Sequence, residues 1–417
     1  MTPQVILHDV LNRVRANGPG LRLGVAVSGG GDSMALLRLA HDWCRDNNAT
    51  LWAATVDHGL RSEAADEARF VADVCGGLDV AHTTLALGEL PSGNLQGAAR
   101  AARYTALAGW AQDHLLDAVL LGHTADDQAE TFVMRLARGS GVDGLAAMRH
   151  DWTAQGVRWL RPLLSIDRAT LREYLADQNQ RWVEDPSNDD PKFERVRVRQ
   201  AMQDLAALGL DPDRLIETAQ RMQDARVALS HAACRAAQDC ARVHGGDLHL
   251  NKDHYCSLPR ETRHRLLAEA VIYVSSSTYR PRYAALCALE QYVLAGTTRT
   301  LQGCLVTGTA NDIVIGRELN AVSGMTTTPG ACWDGRWVIA VPAGDETGSL
   351  VVKALGEGVR ELKNWRETGF GRNTLMTSPA LWEGSQLIAA PLAGLDDPNL
   401  ILRKPCVEDF LHRLLSH

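Results

Sequence analysis

Three groups of residues in this chain have the types and spacing to do chemistry. The first is Ser28-Gly29-Gly30-Gly31-Asp32-Ser33, small and hydroxylated residues with one carboxylate among them. Glycines let the main chain approach a ligand closely, and a helix opening behind them adds the partial positive charge of its N-terminus, so the run can cradle an anion. It is not a Walker A loop, because no Gly-Lys-Ser/Thr follows and the first lysine of the chain is Lys192. It is not a GxGxxG dinucleotide loop either. A carboxylate beside a polyphosphate repels it unless a divalent cation lies between them, so Asp32 reads as a Mg²⁺ ligand. The plain alternative is a turn in which Asp32 and Ser33 are caps.

The second group is His123-Thr124-Ala125-Asp126-Asp127-Gln128-Ala129-Glu130-Thr131. In a helix starting near Asp126, Asp127 and Glu130 are three apart and share a face, with His123 just ahead of the helix. Acids in a first turn suit the helix dipole, which accounts for Asp126. It does not account for His123, Asp127 and Glu130 together, which read as a catalytic cluster facing the glycine loop. The third group is Arg195, Arg197 and Arg199, alternating with Val196 and Val198. An extended segment would put the three charges on one side; a helix would spread them around its axis.

The elements that must position these groups alternate. Leu23–Val27 is an apolar run of strand type, and Met34–Cys44 repeats apolar Leu36, Leu37, Ala40 and Trp43 at a helical period. Further strands are predicted at Leu51–Val56, Val80–Leu85, Ala118–Leu121 and Val157–Leu164. Helices are predicted over residues 1–20, Ser62–Cys75, Leu95–His114, Asp126–Arg138 and Arg168–Gln178. This alternation predicts an α/β fold with a doubly wound parallel sheet, which binds ligands at the carboxyl ends of its strands. The glycine loop, the turn Asp57–Arg61 and the segment from Gly122 all fall at such ends. A turn-rich connector, Asp185–Pro191, changes the pattern. Helical text at Val196–Leu208, Pro212–Gly245 and Arg260–Val274 predicts a mostly helical second domain, ending in a hairpin over Arg299–Arg317. Gly- and Trp-containing text with strand-like pieces such as Trp337–Pro342 predicts a small C-terminal α+β module. The domains expected are 1–198, 199–318 and 319–417.

Composition bounds the function. No run among the 417 residues approaches a membrane span, and MTPQVILHDVLNRV carries Asp9 and lacks the continuous apolar core of a secretory signal. Nine cysteines without CxxC, the nearest pair being Cys234 and Cys240, suit reduced thiols in the cytoplasm. A net charge of −7 argues weakly against a nucleic-acid partner, although net charge is not local charge. The positive charge is nearly all arginine, with only five lysines among 43 basic residues, and arginine suits bidentate phosphate contacts. A coding bias accounts for most of the lysine shortage.

The SGGGDS run resembles the SGGxDS loop of the PP-loop ATP pyrophosphatases, which cleave ATP between the α and β phosphates. Longer text sharpens the likeness: VDHGLR at 56–61, ARAARY at 99–104, GHTADDQAETFVMRLARGSGVDGLAAM at 122–148, RPLL at 161–164 and WVEDPSNDDPKFERVRVR at 182–199. In this order the text resembles the tRNA(Ile)-lysidine synthases. Thr124, where His is frequent, and Val196, where Asn is frequent, are minor departures. After about residue 320 only PALWEGSQLIAAPLAG at 379–394 matches. The resemblance implies an adenine nucleotide alpha-hydrolase-like fold and a ligase. The enzyme would adenylate the C2 oxygen of the wobble cytidine in isoleucine tRNA with a CAU anticodon; free lysine would then displace AMP. It further implies that Asp32 and Asp127 hold Mg²⁺, while the main chain of Gly29, Gly30 and Gly31 and the hydroxyls of Ser28 and Ser33 hold the β and γ phosphates. Arg103 would neutralise the α-phosphate, and the main chain at Val56 and His58 would meet adenine. Asp127 and Glu130 would bind lysine and take its proton, and His123 would contact phosphate or base. Arg195, Arg197 and Arg199 would face RNA, with Arg260, Arg263 and Arg265 as weaker candidates. A homodimer is allowed. Three rivals share the loop: a tRNA thiolation enzyme, which needs cysteines near the site; an amidotransferase-type synthetase, whose text after the loop differs; and a nucleotide-binding module without catalysis, which would lack His123, Asp127 and Glu130.

Overall fold

The computed structural model describes residues 2–15, 20–57, 64–88, 95–184, 190, 192, 194–341, 349–397 and 400–415. The chain divides into two compact units, Met1–Arg226 and Val227–His417.

The first unit opens with α1 (Pro3–Arg15), β1 (Arg22–Ala26), α2 (Gly31–Asp46), β2 (Thr50–Asp57), α3 (Ala64–Gly77), β3 (Ala81–Ala86), α4 (Leu95–Asp113), β4 (Ala118–Leu121), α5 (Ala125–Ala137) and α6 (Val142–Leu145). It continues with β5 (Asp151–Ala154), β6 (Val157–Leu160), α7 (Arg168–Asp177), α8 (Glu194–Ala207) and the start of α9 (Pro212–Cys240). The sheet order is β3-β2-β1-β4-β6-β5, parallel except for β5. Period-2 alternation decides which side chains meet which layer. Leu23 and Val25 of β1 and Leu120 of β4 pack with Leu11, Leu36, Leu37 and Leu171 from α1, α2 and α7. Ala26, Val119 and Leu121, their neighbours in sequence, pack with Leu107 and Trp110 of α4 and with Trp159 of β6. Both faces of the central strands are therefore covered, which is why β4 is apolar at every position. The doubly wound sheet is the expected one, with one addition. The strand expected over Val157–Leu164 ends at Leu160, before Arg161-Pro162, and pairs with the antiparallel edge strand β5 through a turn at Gln155 and Gly156, both at positive φ. Later in the chain, α8 and the first turns of α9 pack on α5, with Met202 of α8 and Leu215 and Ala219 of α9 meeting Ala129 and Phe132.

The second unit, expected to be mostly helical with one hairpin, instead packs its helices on one face of a five-stranded antiparallel sheet. The end of α9 leads into β7 (Ala241–His244) and β8 (Asp247–Asn251), followed by α10 (Lys252–Ser257), α11 (Arg260–Ser275), α12 (Tyr283–Leu294), β9 (Thr298–Leu301), β10 (Cys304–Gly308) and β11 (Asp312–Arg317). The sheet order is β7-β8-β11-β10-β9. The C-terminal region holds α13 (Leu319–Val322), β12 (Thr326–Thr327), β13 (Cys332–Trp333), β14 (Trp337–Ala340), β15 (Leu350–Ala354) and α14 (Arg372–Met376). It ends with β16 (Pro379–Glu383), β17 (Gln386–Ala389), β18 (Ile401–Arg403) and α15 (Val407–Leu415). These strands form two small sheets around Trp333, Trp337, Leu381 and Trp382. Among the described residues no helix is long and apolar enough to cross a membrane.

Asp247, at the start of β8, is buried and accepts a hydrogen bond from Thr374 Oγ1 at 2.6 Å. Burial pushes its carboxyl up to about 6, against the opposing pull of Thr374 and Arg336. The folded value lies above that of an unfolded aspartate. The stability this group allows is therefore full below about pH 4 and lost as pH rises through about 6. Asp247→Asn keeps an acceptor for Thr374, and is expected to raise the thermal midpoint at neutral pH and to lose that advantage near pH 4. Midpoints that differ equally at both pH values would refute the assignment.

Candidate active site

The strand order reverses between β1 and β4, and the site sits at their carboxyl ends. From β1 the chain passes through Ser28, Gly29 and Gly30 into α2. Gly29 has φ +85°, a left-handed conformation that glycine alone adopts without strain. Ser33 Oγ accepts from the Ser28 N–H at 3.1 Å and donates to the Gly30 carbonyl at 2.9 Å. The Ser33 hydroxyl is thus a brace within the loop. Gly122, just past β4, carries the opposite wall: a Cβ there would lie 3.1 Å from Ser33 N and Asp32 O, so a side chain would push the start of α2 back by a few tenths of an ångström. Val183 N–H donates to the Gly29 carbonyl at 2.9 Å, and Trp182 lies against Gly31.

The carboxylates converge on one guanidinium. Thr124 caps α5, and Asp127 answers by accepting from the Thr124 N–H at 2.9 Å. This capping box fixes the turn that carries both Asp127 and Glu130. Arg168, the first residue of α7, donates through Nε to Asp32 Oδ2 at 3.2 Å, through Nη2 to Asp127 Oδ1 at 2.5 Å and through Nη1 to Glu130 Oε1 at 2.8 Å. Its own N–H donates to Asp126 Oδ2 at 2.8 Å. Arg195 Nε lies 3.0 Å from Glu130 Oε2 and Arg199 Nε 3.0 Å from Glu130 Oε1. Asp127 and Glu130 are buried, yet they face three arginines. Burial alone would raise Asp127, but Arg168, Arg195 and the Thr124 N–H bring it below the usual aspartate value. Asp32 goes the other way: burial, with Asp127 beside it, outweighs Arg168 and raises it.

A cleft of about 430 Å³ opens on this cluster, lined among others by Ser28, Gly30, Asp32, Arg103, His123 and Trp182. None of its lining residues is a cysteine. Arg103 has no carboxylate partner among the described residues, which leaves its charge for a ligand; burial lowers its pKa from the usual guanidinium value. Arg161 Nε donates to His123 Nδ1 at 3.2 Å. Burial, then the charge of Arg161, holds the imidazole down to about 3, so His123 is neutral at pH 7. Asp32 and Asp127 are hard oxygen donors that both accept from the Arg168 guanidinium. Among the described residues no group of three or more His, Cys, Asp or Glu forms a metal cage, so a hard divalent cation here would complete its shell with ligand oxygens and water.

The structure therefore brings together Ser28, Gly30, Gly31, Asp32, Ser33, Arg103, His123, Asp127, Arg195 and Arg199 in one cleft, with Glu130 behind them. Gly29 shapes the loop from outside the lining. Val56 lies on β2 paired with Leu85 and packs on the α4 side of the sheet; it does not line the cleft. His58 lies outside the described residues. The third group is helical, in α8: Arg195 and Arg199, four apart, turn toward the carboxylates. Arg197 is exposed, with Nη1 donating to the Lys192 carbonyl. Arg260, Arg263 and Arg265 belong to α11 of the second unit, where Arg263 pairs with Glu290 and Arg265 with Glu261. Arg168, Arg161 and Trp182 are site residues to which sequence reasoning assigns no role.

Strand, glycine loop and helix at this switch point define an ATP-using PP-loop protein, and the family model described as the PP-loop domain matches residues 4–205. The agreement reaches further than that domain. A tRNA(Ile)-lysidine synthase from Ruegeria pomeroyi is 44% identical over 98% of both chains, and one from Wolbachia pipientis is 32% identical over 91% of this chain and 90% of its own. The chain belongs to the tRNA(Ile)-lysidine synthase family. Among solved structures, a U34-tRNA thiolase from Methanococcus maripaludis is similar with a TM-score of 0.44 and 17% identity, over 53% of this chain and 80% of that one.

Arg168 carries the charge balance of the cluster. Arg168→Met is expected to cost about 3 kcal/mol, because it leaves buried carboxylates short of a counter-charge. Arg168→Lys should lose less. Urea denaturation of the full chain checks this, and an Arg168→Met midpoint equal to wild type would contradict it.

Proposed function

We propose that this chain forms lysidine in isoleucine tRNA with a CAU anticodon. The C2 oxygen of the wobble cytidine attacks the α-phosphorus of ATP and pyrophosphate leaves. The ε-amine of free lysine then attacks C2 and AMP leaves. The observation that carries the reading is identity with curated lysidine synthases along nearly the whole chain, not over the PP-loop domain alone. The rivals lack that support, and the cysteine-free cleft also speaks against a thiolation site.

Within this reading, the main chain of the glycine loop and the Ser28 hydroxyl cradle the β and γ phosphates, and Arg103 faces the α-phosphate. Asp32 and Asp127 fit Mg²⁺ by their donor type and their convergence, and the bound ion supplies charge neutralisation on the departing pyrophosphate. The adenine contact expected of the main chain at Val56 would fall outside the lining of the cleft described above, and His58 lies outside the described residues. Asp127 and Glu130 take the lysine ammonium by cation exchange: Arg195, with a side chain 40% exposed at their mouth, is the partner it would replace. On α8 the exposed Arg197 faces the RNA, and Arg195 and Arg199 reach it once they leave the carboxylates they pair with here; the region 199–318 holds more of the tRNA, 319–417 is a tRNA-contacting or structural module, and a homodimer is the assembly the family resemblance allows. Reduced, unpaired cysteines and a tRNA substrate suit the cytoplasm.

The full chain with ATP, labelled lysine and a CAU isoleucine tRNA transcript should incorporate label only when all three are present. A transcript carrying uridine at the wobble position should take none. Absence of label at saturating substrates would overturn the reading. Glu130→Gln is expected to release pyrophosphate near the wild-type rate while adenylated tRNA accumulates, because the carboxylate that attracts and deprotonates lysine is gone. Failure to release pyrophosphate at saturating ATP and tRNA would move Glu130 to the phosphate half of the site.

A further inference from the structure

The proposed reaction gives no task to the text Arg161-Pro162-Leu163-Leu164. Leu163 and Leu164 are core residues. Arg161 is a different case, because it is 6% exposed and has no carboxylate partner among the described residues. A buried charge without a counter-ion is costly, so its other contacts must justify it. Nη1 donates to the Arg149 carbonyl at 2.9 Å and Nη2 to Tyr104 OH at 3.3 Å. The guanidinium lies 4.0 Å from the Trp152 ring centroid, a cation–π contact that replaces part of the lost hydration. These contacts leave Nε–H aimed at His123 Nδ1, 3.2 Å away.

A guanidinium N–H donates and never accepts, so the Nδ1 it meets must carry a lone pair. A neutral imidazole with a bare Nδ1 has its proton on Nε2. His123 lines the cleft, and Nε2 has no hydrogen-bond partner among the described residues. We infer that Arg161 is a positioning residue that fixes His123 as its Nε2–H tautomer and so presents a neutral N–H donor to an anionic oxygen of the bound substrate. The opposite tautomer would point a lone pair at that oxygen and repel it. A doubly protonated ring would put an N–H against an N–H of Arg161. This inference rests on the reading that the cleft holds the ATP phosphates, but the tautomer itself does not depend on a substrate.

The test begins with the substrate-free full chain, labelled with ¹⁵N-histidine. The His123 resonances are assigned by their loss in His123→Asn, which keeps a small polar group facing Arg161. The expected result is a single tautomer, with a bare-nitrogen shift at Nδ1 and an N–H shift at Nε2. In Arg161→Met the two shifts should move toward each other as both tautomers become populated. The kcat for pyrophosphate release should fall about tenfold or more with little change in KM for ATP, as expected for an interaction made to developing charge. Arg161→Lys, which keeps a charged donor, should recover part of both. An Nδ1–H tautomer in the wild type overturns the inference without any Arg161 variant. Unchanged His123 shifts in Arg161→Met overturn it as well. Should the wild type form no lysidine, the proposed function fails while the tautomer result stands on its own.

Discussion

The site depends on one interaction, the guanidinium of Arg168 set among Asp32, Asp127 and Glu130. Three carboxylates this close repel one another, and two of them are buried, where solvent does little to screen the repulsion. Arg168 offers each a separate N–H within 3.2 Å, from a side chain whose backbone is itself held by Asp126. Its charge lets the end of β1 and the start of α5 approach each other. Without it, the glycine loop and the acidic helix would be two features of the sequence and not one cleft.

The topology supplies the rest. Reversal of strand order between β1 and β4 leaves a crevice that neither neighbouring crossover covers. Into it point a helix N-terminus from one side, a capped acidic turn from the other, and arginines from α4, α7 and α8. The cleft is thus built from donors and positive charge at its walls, with acids gathered behind and beside them. That distribution suits a polyanion met first by main-chain N–H groups and Arg103, with cations exchanged at the carboxylates afterwards.

The sheet, the glycine loop and the acidic cluster were legible because each concentrates its signal in consecutive residues. Arg168 was not, since it lies 136 residues from Asp32 and looks like the first residue of an ordinary amphipathic helix. One local signal was present: a cation in the first turn of a helix opposes the helix dipole, so its reason must lie in tertiary contacts. The RNA-facing reading of Arg195 and Arg199 left open whether the segment was strand or helix; helical spacing turns that pair toward Glu130 and leaves Arg197 outside. The β7–β8 hairpin is hidden in text that continues an Ala-rich helix. Gly245-Gly246, both at positive φ between alternating Val243 and Leu248, is the turn signature that separates them.

Every cation lining the cleft is an arginine. In the proposed reaction an adenylated base waits there as an electrophile for an amine. A lysine on the wall would be such an amine, and a buried one readily loses its proton and becomes nucleophilic. A guanidinium gives the same positive charge but keeps its proton at any physiological pH, so it attracts phosphate without competing for C2. Among the described residues that line the cleft, no side chain therefore offers a primary amine to compete with the free lysine that diffuses in.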